Sequence, residues 1–177
     1  MTGQTQLAVI EQRLRVLEAR EAIRSCLSRY FDLCDVPGPF TEVSQLAELF
    51  TARATWRGVG EAYAGKFGTV TGRHRVAAHV AGYLPPEPHF RQNAHVLGSE
   101  QLHIDGDTGC GQWLMQQLSR YADGNGELLC ARIRADFVIE RTAGQAYARI
   151  AAFSTERLYA APLIAADEQS PVNKENR

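Results

Sequence analysis

Residues 92–104, with the sequence QNAHVLGSEQLHI, begin a region in which apolar and polar side chains alternate instead of following a helical period. The alternation continues over 108–121, 127–141 and 145–159, and short turns rich in Gly and Asp, such as Asp105-Gly106-Asp107, separate the segments. A period of two is typical of half-buried strands, and Gly and Asp supply the backbone conformations of tight hairpins. The sequence therefore predicts a meander of four long antiparallel strands.

The region before this meander is predicted to be mainly helical. Apolar residues recur at helical spacing over 6–35 and charged residues fill the opposite side, which indicates one long helix, straight or kinked near 19–22. Pro37 ends this helix because proline cannot continue the hydrogen-bond ladder. Further helices are predicted over 42–50, capped by Thr41, and from about 71 to 84. A short strand over 54–57 with a hairpin partner over 61–65 is expected between them.

Helices followed by long antiparallel strands indicate an α+β fold. Long twisted strands curl, so we expect a cone-shaped antiparallel sheet with the N-terminal helices packed on its concave face, enclosing a cavity. We also expect a single domain over 1–177, with a core over about 10–162 and a frayed polar tail over 165–177.

The composition argues against several functional classes. The 177 residues are 45% hydrophobic and 22% charged, as in globular proteins, and the formal net charge is -1. No basic surface for nucleic acid or for a membrane is therefore expected. No apolar stretch reaches membrane-spanning length, and residues 1–6 lack the pattern of a signal peptide, so we expect a cytoplasmic protein.

The cysteines and acidic turns do not predict a metal or cofactor site. None of the four cysteines forms a C-x-x-C pair, and we expect reduced thiols buried in the core or cavity walls, at Cys26, Cys34, Cys110 and Cys130. Asp105-Gly106-Asp107 is a turn, because a calcium loop needs more oxygen ligands at set spacing. No glycine motif for nucleotides is present, so we expect neither a metal nor a cofactor.

Two residues far apart in the sequence can supply proton-transfer chemistry. Asp35 follows the long helix, whose C-terminal partial negative charge disfavours a carboxylate without a partner or exposure. His95 shares a strand face with Leu97 and Ser99. A carboxylate that orients an imidazole leaves the second ring nitrogen free as a base. The alternatives are an exposed aspartate in the turn before Pro37 and a core histidine bonded to a backbone carbonyl.

This order of elements resembles the nuclear transport factor 2-like superfamily and, more narrowly, its SnoaL-like branch. That branch includes scytalone dehydratase, bile-acid 7α-dehydratase, lindane dehydrochlorinase and polyketide cyclases. The resemblance spans about 10–162 and is carried by three patterns: Tyr30 with Asp35 at the helix end, Leu49-Phe50 before a strand bearing Trp56, and His95 ten residues before Asp105-Gly106-Asp107. The chain departs from the usual pattern at Ser99, where many members have Asn, and at Ala146-Tyr147-Ala148, where many have Gly-x-Trp.

The resemblance implies that Asp35 and His95 form a catalytic dyad and that Tyr30 lines the pocket. It also matches Arg157 to a pocket arginine of the bile-acid dehydratase group. Phe31 and Trp56 are expected in the pocket wall, although Tyr30 and Trp56 also suit a core, and Arg157 also suits a surface ion pair.

Other titratable residues are weaker candidates. Asp32 rivals Asp35 but lacks the match to the family position. His74, His79 and His103 are predicted to be solvated, and His89 lies in a proline-rich loop that could rim the cavity.

The implied function is that of a cofactor-independent lyase or isomerase of the dehydratase type, acting on a hydrophobic ring compound such as a steroid, polyketide or aromatic. The alternative is a non-catalytic module of the same fold that binds a small apolar ligand or acts as an assembly subunit, as the β subunits of ring-hydroxylating dioxygenases do with a large α partner. A homodimer or homotrimer is expected, because a curved sheet can expose an apolar outer face.

Overall fold

The computed structural model describes residues 3–38, 41–86 and 88–163, so the tail predicted over 165–177 lies outside the described residues. The helices and strands follow the predicted order: α1 Gly3–Cys34, α2 Val43–Glu48, β1 Phe50–Val59, a 3-10 turn Glu61–Tyr63, β2 Thr69–Thr71, α3 Arg73–Ala81, β3 Phe90–Asp105, β4 Thr108–Tyr121, β5 Gly126–Thr142 and β6 Gln145–Pro162.

The six strands form one sheet in the order β2-β1-β6-β5-β4-β3. The meander of β3 to β6 is antiparallel, which confirms the predicted α+β fold with a curved sheet beneath an N-terminal helix. The sheet has a bulge in β3 between Gly98 and Gln101, and another in β6 at Leu158, opposite Cys130 and Ala131 of β5. Bulges of this kind increase strand twist and bending. Ser99 in the first bulge has a φ of 51°, a conformation that Asn tolerates more readily than most residues.

Two predictions about the first strand are wrong. β1 joins β6 in parallel, so the sheet is mixed instead of wholly antiparallel. The hairpin partner predicted over 61–65 is replaced by the 3-10 turn, and β1 pairs instead with β2. The intervening loop folds back on β1, where a Cβ at Gly58 would lie 2.7 Å from the Phe67 ring. Packing of the half-buried Tyr63 and Phe67 rings against Gly58 therefore takes the place of a tight hairpin.

The ends of the short helices also differ from the prediction. The N-cap of α2 is Glu42 and not Thr41, because Glu42 and Gln45 form a reciprocal capping box. The Thr41 hydroxyl instead donates to the Leu33 carbonyl at 3.0 Å, near the end of α1.

Helix α1 is continuous and packs on the concave face of the sheet through its second half. Its buried residues start at Ala19, and a Cβ at Gly109 would lie 2.6 Å from Ile23 Cδ1, so the glycine lets the helix approach β4 closely. The apolar residues before this point, such as Leu14 and Leu17, are 52% and 62% exposed. Their helical spacing predicted the helix correctly, but this part of α1 has no sheet surface beneath it.

The prediction that all four cysteines are buried is confirmed for two of them and wrong for the other two. Cys26 and Cys34 are buried in α1, whereas Cys110 is exposed and Cys130 is half-buried. In β4 the buried Gly109 and the exposed Cys110 alternate, which places Cys110 on the outer face of the sheet.

Candidate active site

A set of hydrogen bonds fixes the end of α1 against β3. The N–H of Val36 donates to the Asn93 carbonyl and the N–H of Asn93 donates to the Val36 carbonyl, both at 2.8 Å. Asn93 Nδ2 also donates to the carbonyl of Cys34 at 3.3 Å, where a helix end leaves acceptors without an intrahelical partner. Because Pro37 disfavours helical geometry at Val36, the chain leaves α1 there and pairs with the strand. Asp35 is thereby held beside β3.

The structure brings Asp35 and His95 into direct contact. Asp35 Oδ1 lies 2.7 Å from His95 Nδ1 and also accepts the backbone N–H of His95 at 3.1 Å. The His95 side chain is 8% exposed and that of Asp35 is 32% exposed. An ionised carboxylate only accepts hydrogen bonds, so this contact assigns the proton of a neutral imidazole to Nδ1 and leaves Nε2 as the basic nitrogen.

His95 lies in the wall of a cavity of about 470 Å³ between the helices and the concave face of the sheet. Asp35 is placed behind His95 and is not among the described residues that line the cavity. Aromatic and aliphatic side chains make up most of the wall, and the Phe31 ring centroid lies 4.8 Å from that of His95. An apolar wall of this kind excludes water and strengthens electrostatic interactions inside the site.

Tyr30 and Trp56 form a hydrogen-bonded aromatic pair in the same wall. Trp56 Nε1 donates to the Tyr30 hydroxyl at 3.2 Å, and Tyr30 is only 4% exposed. Burial raises the pKa of Tyr30 well above its usual value, so the phenol stays protonated. Because the phenol stays protonated, it can act in the cavity as a donor and not as a base.

Arg157 lines the cavity but is already paired with an acidic residue. Its Nη2 donates to Glu127 Oε1 at 2.5 Å, and the Tyr121 hydroxyl donates to Glu127 Oε2 at 2.7 Å. Burial and the adjacent Glu127 raise the pKa of Tyr121. The residue predicted as a substrate-binding cation is therefore part of a three-residue cluster with no net charge.

Three other titratable residues considered in the sequence analysis are exposed and do not line the cavity. Asp32 is exposed and its carboxylate accepts from Arg29 at 2.7 Å on the surface of α1. His74 and His103 are exposed, as predicted.

The prediction that His79 is solvated is wrong. It lines the cavity, its ring centroid lies 4.9 Å from that of Trp56, and burial lowers its pKa. Its Nε2 atom is buried and has no hydrogen-bond partner among the described residues. His79 shares the inner face of α3 with the buried Val76 and Val80, a spacing of three and four residues that could have revealed its direction. His89 also lines the cavity.

A buried amide network next to the Asp35–His95 contact was missed by the sequence analysis. Asn93 Oδ1 accepts from Gln117 Nε2 at 3.0 Å and from Ser119 Oγ at 2.8 Å, and Asn93 is 4% exposed. The available signal was an alternation of polar residues on the inner face of two neighbouring strands. Asn93 precedes His95 by two residues in β3, as Gln117 precedes Ser119 in β4.

In the part of the chain that the structure describes, no group of three or more His, Cys, Asp or Glu side chains is arranged to hold a metal ion. Across the same residues, no helix combines the length and the apolar character that a membrane span requires.

Comparisons with known proteins agree on the fold. A sequence profile of the SnoaL-like domain family matches residues 15–149. No curated protein matches the sequence significantly.

Solved structures are similar over nearly the whole chain. LinA-type3 hexachlorocyclohexane dehydrochlorinase from Novosphingobium barchaimii LL02 has a TM-score of 0.68 and 19% identity, over 90% of this chain and 99% of that chain. An NTF2-like protein with a cystatin-like fold from Novosphingobium aromaticivorans has a TM-score of 0.63 and 26% identity, over 89% and 92%. A candidate scytalone dehydratase from Novosphingobium aromaticivorans DSM 12444 has a TM-score of 0.62 and 16% identity, over 97% and 99%.

Proposed function

Because the chain belongs to the SnoaL-like domain family, we propose that it is a cofactor-independent lyase of the dehydratase type, with His95 as general base and Asp35 as the carboxylate that orients it. The observation that carries the proposal is the 2.7 Å contact between Asp35 Oδ1 and His95 Nδ1 at the wall of an aromatic cavity. A non-catalytic ligand-binding or assembly module of this fold has no need for a carboxylate-oriented imidazole that faces such a cavity.

The proposed elimination moves one proton through His95. Nε2 removes a proton from the carbon next to a substrate carbonyl, and the electron pair released forms a carbon–carbon double bond as the hydroxyl group on the neighbouring carbon leaves. The imidazolium returns the same proton to that hydroxyl, so the products are the unsaturated ligand, water and a neutral imidazole. Asp35 stabilises the intermediate imidazolium and keeps the ring in one orientation.

Tyr30 is proposed to stabilise the negative charge that develops on the substrate carbonyl oxygen. Its phenol is protonated, and the hydrogen bond from Trp56 Nε1 holds its oxygen in place. Phe31 packs on the imidazole and keeps water from the base. Trp56 and Phe153 stack with ring centroids 6.1 Å apart and an angle of 11° between their planes, and both line the cavity, which suits it to a ring compound.

The substrate class follows from the shape and chemistry of the cavity. A volume of about 470 Å³ is in the range of sites that bind small organic ligands, and the aromatic wall favours a hydrophobic ring compound such as a steroid, polyketide or aromatic. The dehydrochlorinase to which this chain is similar is named for its action on hexachlorocyclohexane, a ring compound.

A homodimer or homotrimer is proposed, and its interface is the outer face of the sheet. One register row across β3, β4, β5 and β6 is wholly apolar on this face, comprising Ala94, Leu118, Leu128 and Ala161. Leu118 is 43% exposed. Such a row is a suitable contact for the same face of a second copy. Light scattering should give an oligomer for the native chain and a smaller species for Leu118→Glu.

The test of the catalytic proposal uses β-hydroxyketones of the tetralone type, whose dehydration gives an aromatic product that absorbs in the ultraviolet. His95→Gln should lower the rate by at least about 10²-fold, because the general base is lost. His103→Gln is the matched control: it lies on the same strand, is exposed, and should leave the rate unchanged. Incorporation of solvent deuterium next to the carbonyl provides a second readout of proton abstraction. Equal rates for the two variants would refute the assigned role of His95.

A further inference from the structure

A second polar cluster lies in the cavity wall, formed by Glu127, Arg157 and Tyr121. We propose that this cluster recognises an uncharged hydroxyl or carbonyl group of the ligand and selects against carboxylates. The inference deepens the proposed function, since it rests on the cavity being the ligand site. It differs from the simplest expectation for a cavity arginine, which is the binding of an anion.

The pairing within the cluster determines its preference. Both carboxylate oxygens of Glu127 are occupied, one by Arg157 and the other by the Tyr121 hydroxyl. A ligand carboxylate placed at Arg157 would therefore also stand beside the negative charge of Glu127, and like charges brought together in a desolvated site are strongly disfavoured. An uncharged oxygen avoids that repulsion.

The cluster still has hydrogen-bonding capacity for such an oxygen. A guanidinium carries five N–H donors, and among the described residues Arg157 forms one hydrogen bond, through Nη2. The side chains of Arg157 and Glu127 remain 29% and 21% exposed, respectively, and both line the cavity. The remaining donors suit a hydroxyl or carbonyl oxygen. Lys66, the other Lys or Arg in the cavity lining, is an exposed residue whose charge is screened by solvent.

The strand register sets the distance between the cluster and His95. His95 pairs with Gln117, which pairs with Leu129. The next row of inward-facing residues contains Glu127, paired with Ser119. The Cα atom of Glu127 is therefore two strands and one row away from that of His95, which is roughly 12 Å along the backbone of the sheet. A fused-ring ligand spans that distance, so the inferred ligand carries one polar group at the reacting end and an uncharged one at the other.

The experiment compares two probes of similar shape, the neutral alcohol β-naphthol and the anion β-naphthoate, by isothermal titration at neutral pH. The native chain should bind β-naphthol about tenfold or more tightly than β-naphthoate. Glu127→Gln should reverse the preference, because the amide keeps an acceptor for Tyr121 but leaves the charge of Arg157 unbalanced. Glu156→Gln removes the same charge from a glutamate that pairs outside the cavity with Arg132, and it should keep the native preference.

Several outcomes would overturn the inference: equal or tighter binding of β-naphthoate by the native chain, an unchanged preference in Glu127→Gln, or failure to bind either probe. The readout is separate from the catalytic test because binding at the cluster does not require the His95 base. Selective binding with no effect of His95→Gln on turnover would remove the proposed reaction and leave the inference in place. Equal binding of the two probes by the native chain, together with loss of turnover in His95→Gln, would remove the inference and leave the proposed reaction in place.

Discussion

Replacement of Asn93 by alanine should destabilise the protein substantially, because this side chain joins the end of α1 to two strands. Alanine removes the hydrogen bonds to the Cys34 carbonyl, to Gln117 and to Ser119. Gln117 Nε2 still donates to Ser119 Oγ at 3.0 Å, so two groups lose their partners: the Cys34 carbonyl and the Ser119 hydroxyl proton. At about 1–3 kcal/mol for each buried unsatisfied group, we expect a loss of about 3 kcal/mol in the free energy of unfolding.

Urea denaturation followed by tryptophan fluorescence measures this change, and a chain of this size should also melt about 6 to 12 °C lower. The control is Gln116→Ala, a substitution in β4 at an exposed position next to Gln117. It should change stability by less than about 0.5 kcal/mol. A loss below about 1 kcal/mol for Asn93→Ala would refute the reasoning, since it would mean that the three hydrogen bonds do not join helix and strands in solution.

Three further substitutions test the candidate site. Asp35→Asn should lower turnover by about 10²-fold or more with folding retained, because a neutral amide cannot balance the charge of an imidazolium; the rate of dehydration measures this. Tyr30→Phe should cost about 1–2 kcal/mol in urea denaturation, since Trp56 Nε1 loses its buried acceptor. Burial lowers the pKa of His79 below its usual 6.5. As the pH falls below about 6.5, the unfolded chain therefore takes up a proton at His79 before the folded chain does, and the free energy of unfolding decreases. Between about pH 7.5 and 5.5, the melting temperature of His79→Gln should therefore fall less than that of the native chain. His74→Gln, at an exposed position, is the control and should fall as much as the native chain. Equal falls for His79→Gln and the native chain would contradict the burial of a neutral His79.

Local pattern was sufficient to predict much of the fold. The prediction of a strand over 108–121 coincides with β4, because alternation and a turn at each end are properties of neighbouring residues. The parallel pairing of β1 with β6 was missed because it joins residues about a hundred positions apart and leaves no local signature. The exposure of Leu17 was missed for a related reason: a helical period shows which face is apolar but not where the opposing sheet ends.

The residues of the candidate site could likewise be predicted only in part from the sequence. Asp35 and His95 were selected because the family resemblance supplied a long-range pairing that neither residue indicates alone. The partner of Arg157 could not be predicted, since its contact with Glu127 depends on the register of β5 and β6 around the bulge at Leu158. Asn93 was missed because a buried amide in a strand has no sequence signature apart from its position in the alternation.

The central claim is that Asp35 fixes His95 in the form that leaves Nε2 as the base. Nitrogen NMR of histidine-labelled protein, with the His95 signal assigned by its loss in His95→Gln, measures the protonation of each ring nitrogen directly and requires no substrate. The account predicts that in the neutral ring Nδ1 carries the proton and Nε2 is bare, and that Asp35→Ala, which removes the acceptor, also removes this preference. A native imidazole protonated at Nε2 and bare at Nδ1, or a tautomer unaffected by Asp35→Ala, would contradict it.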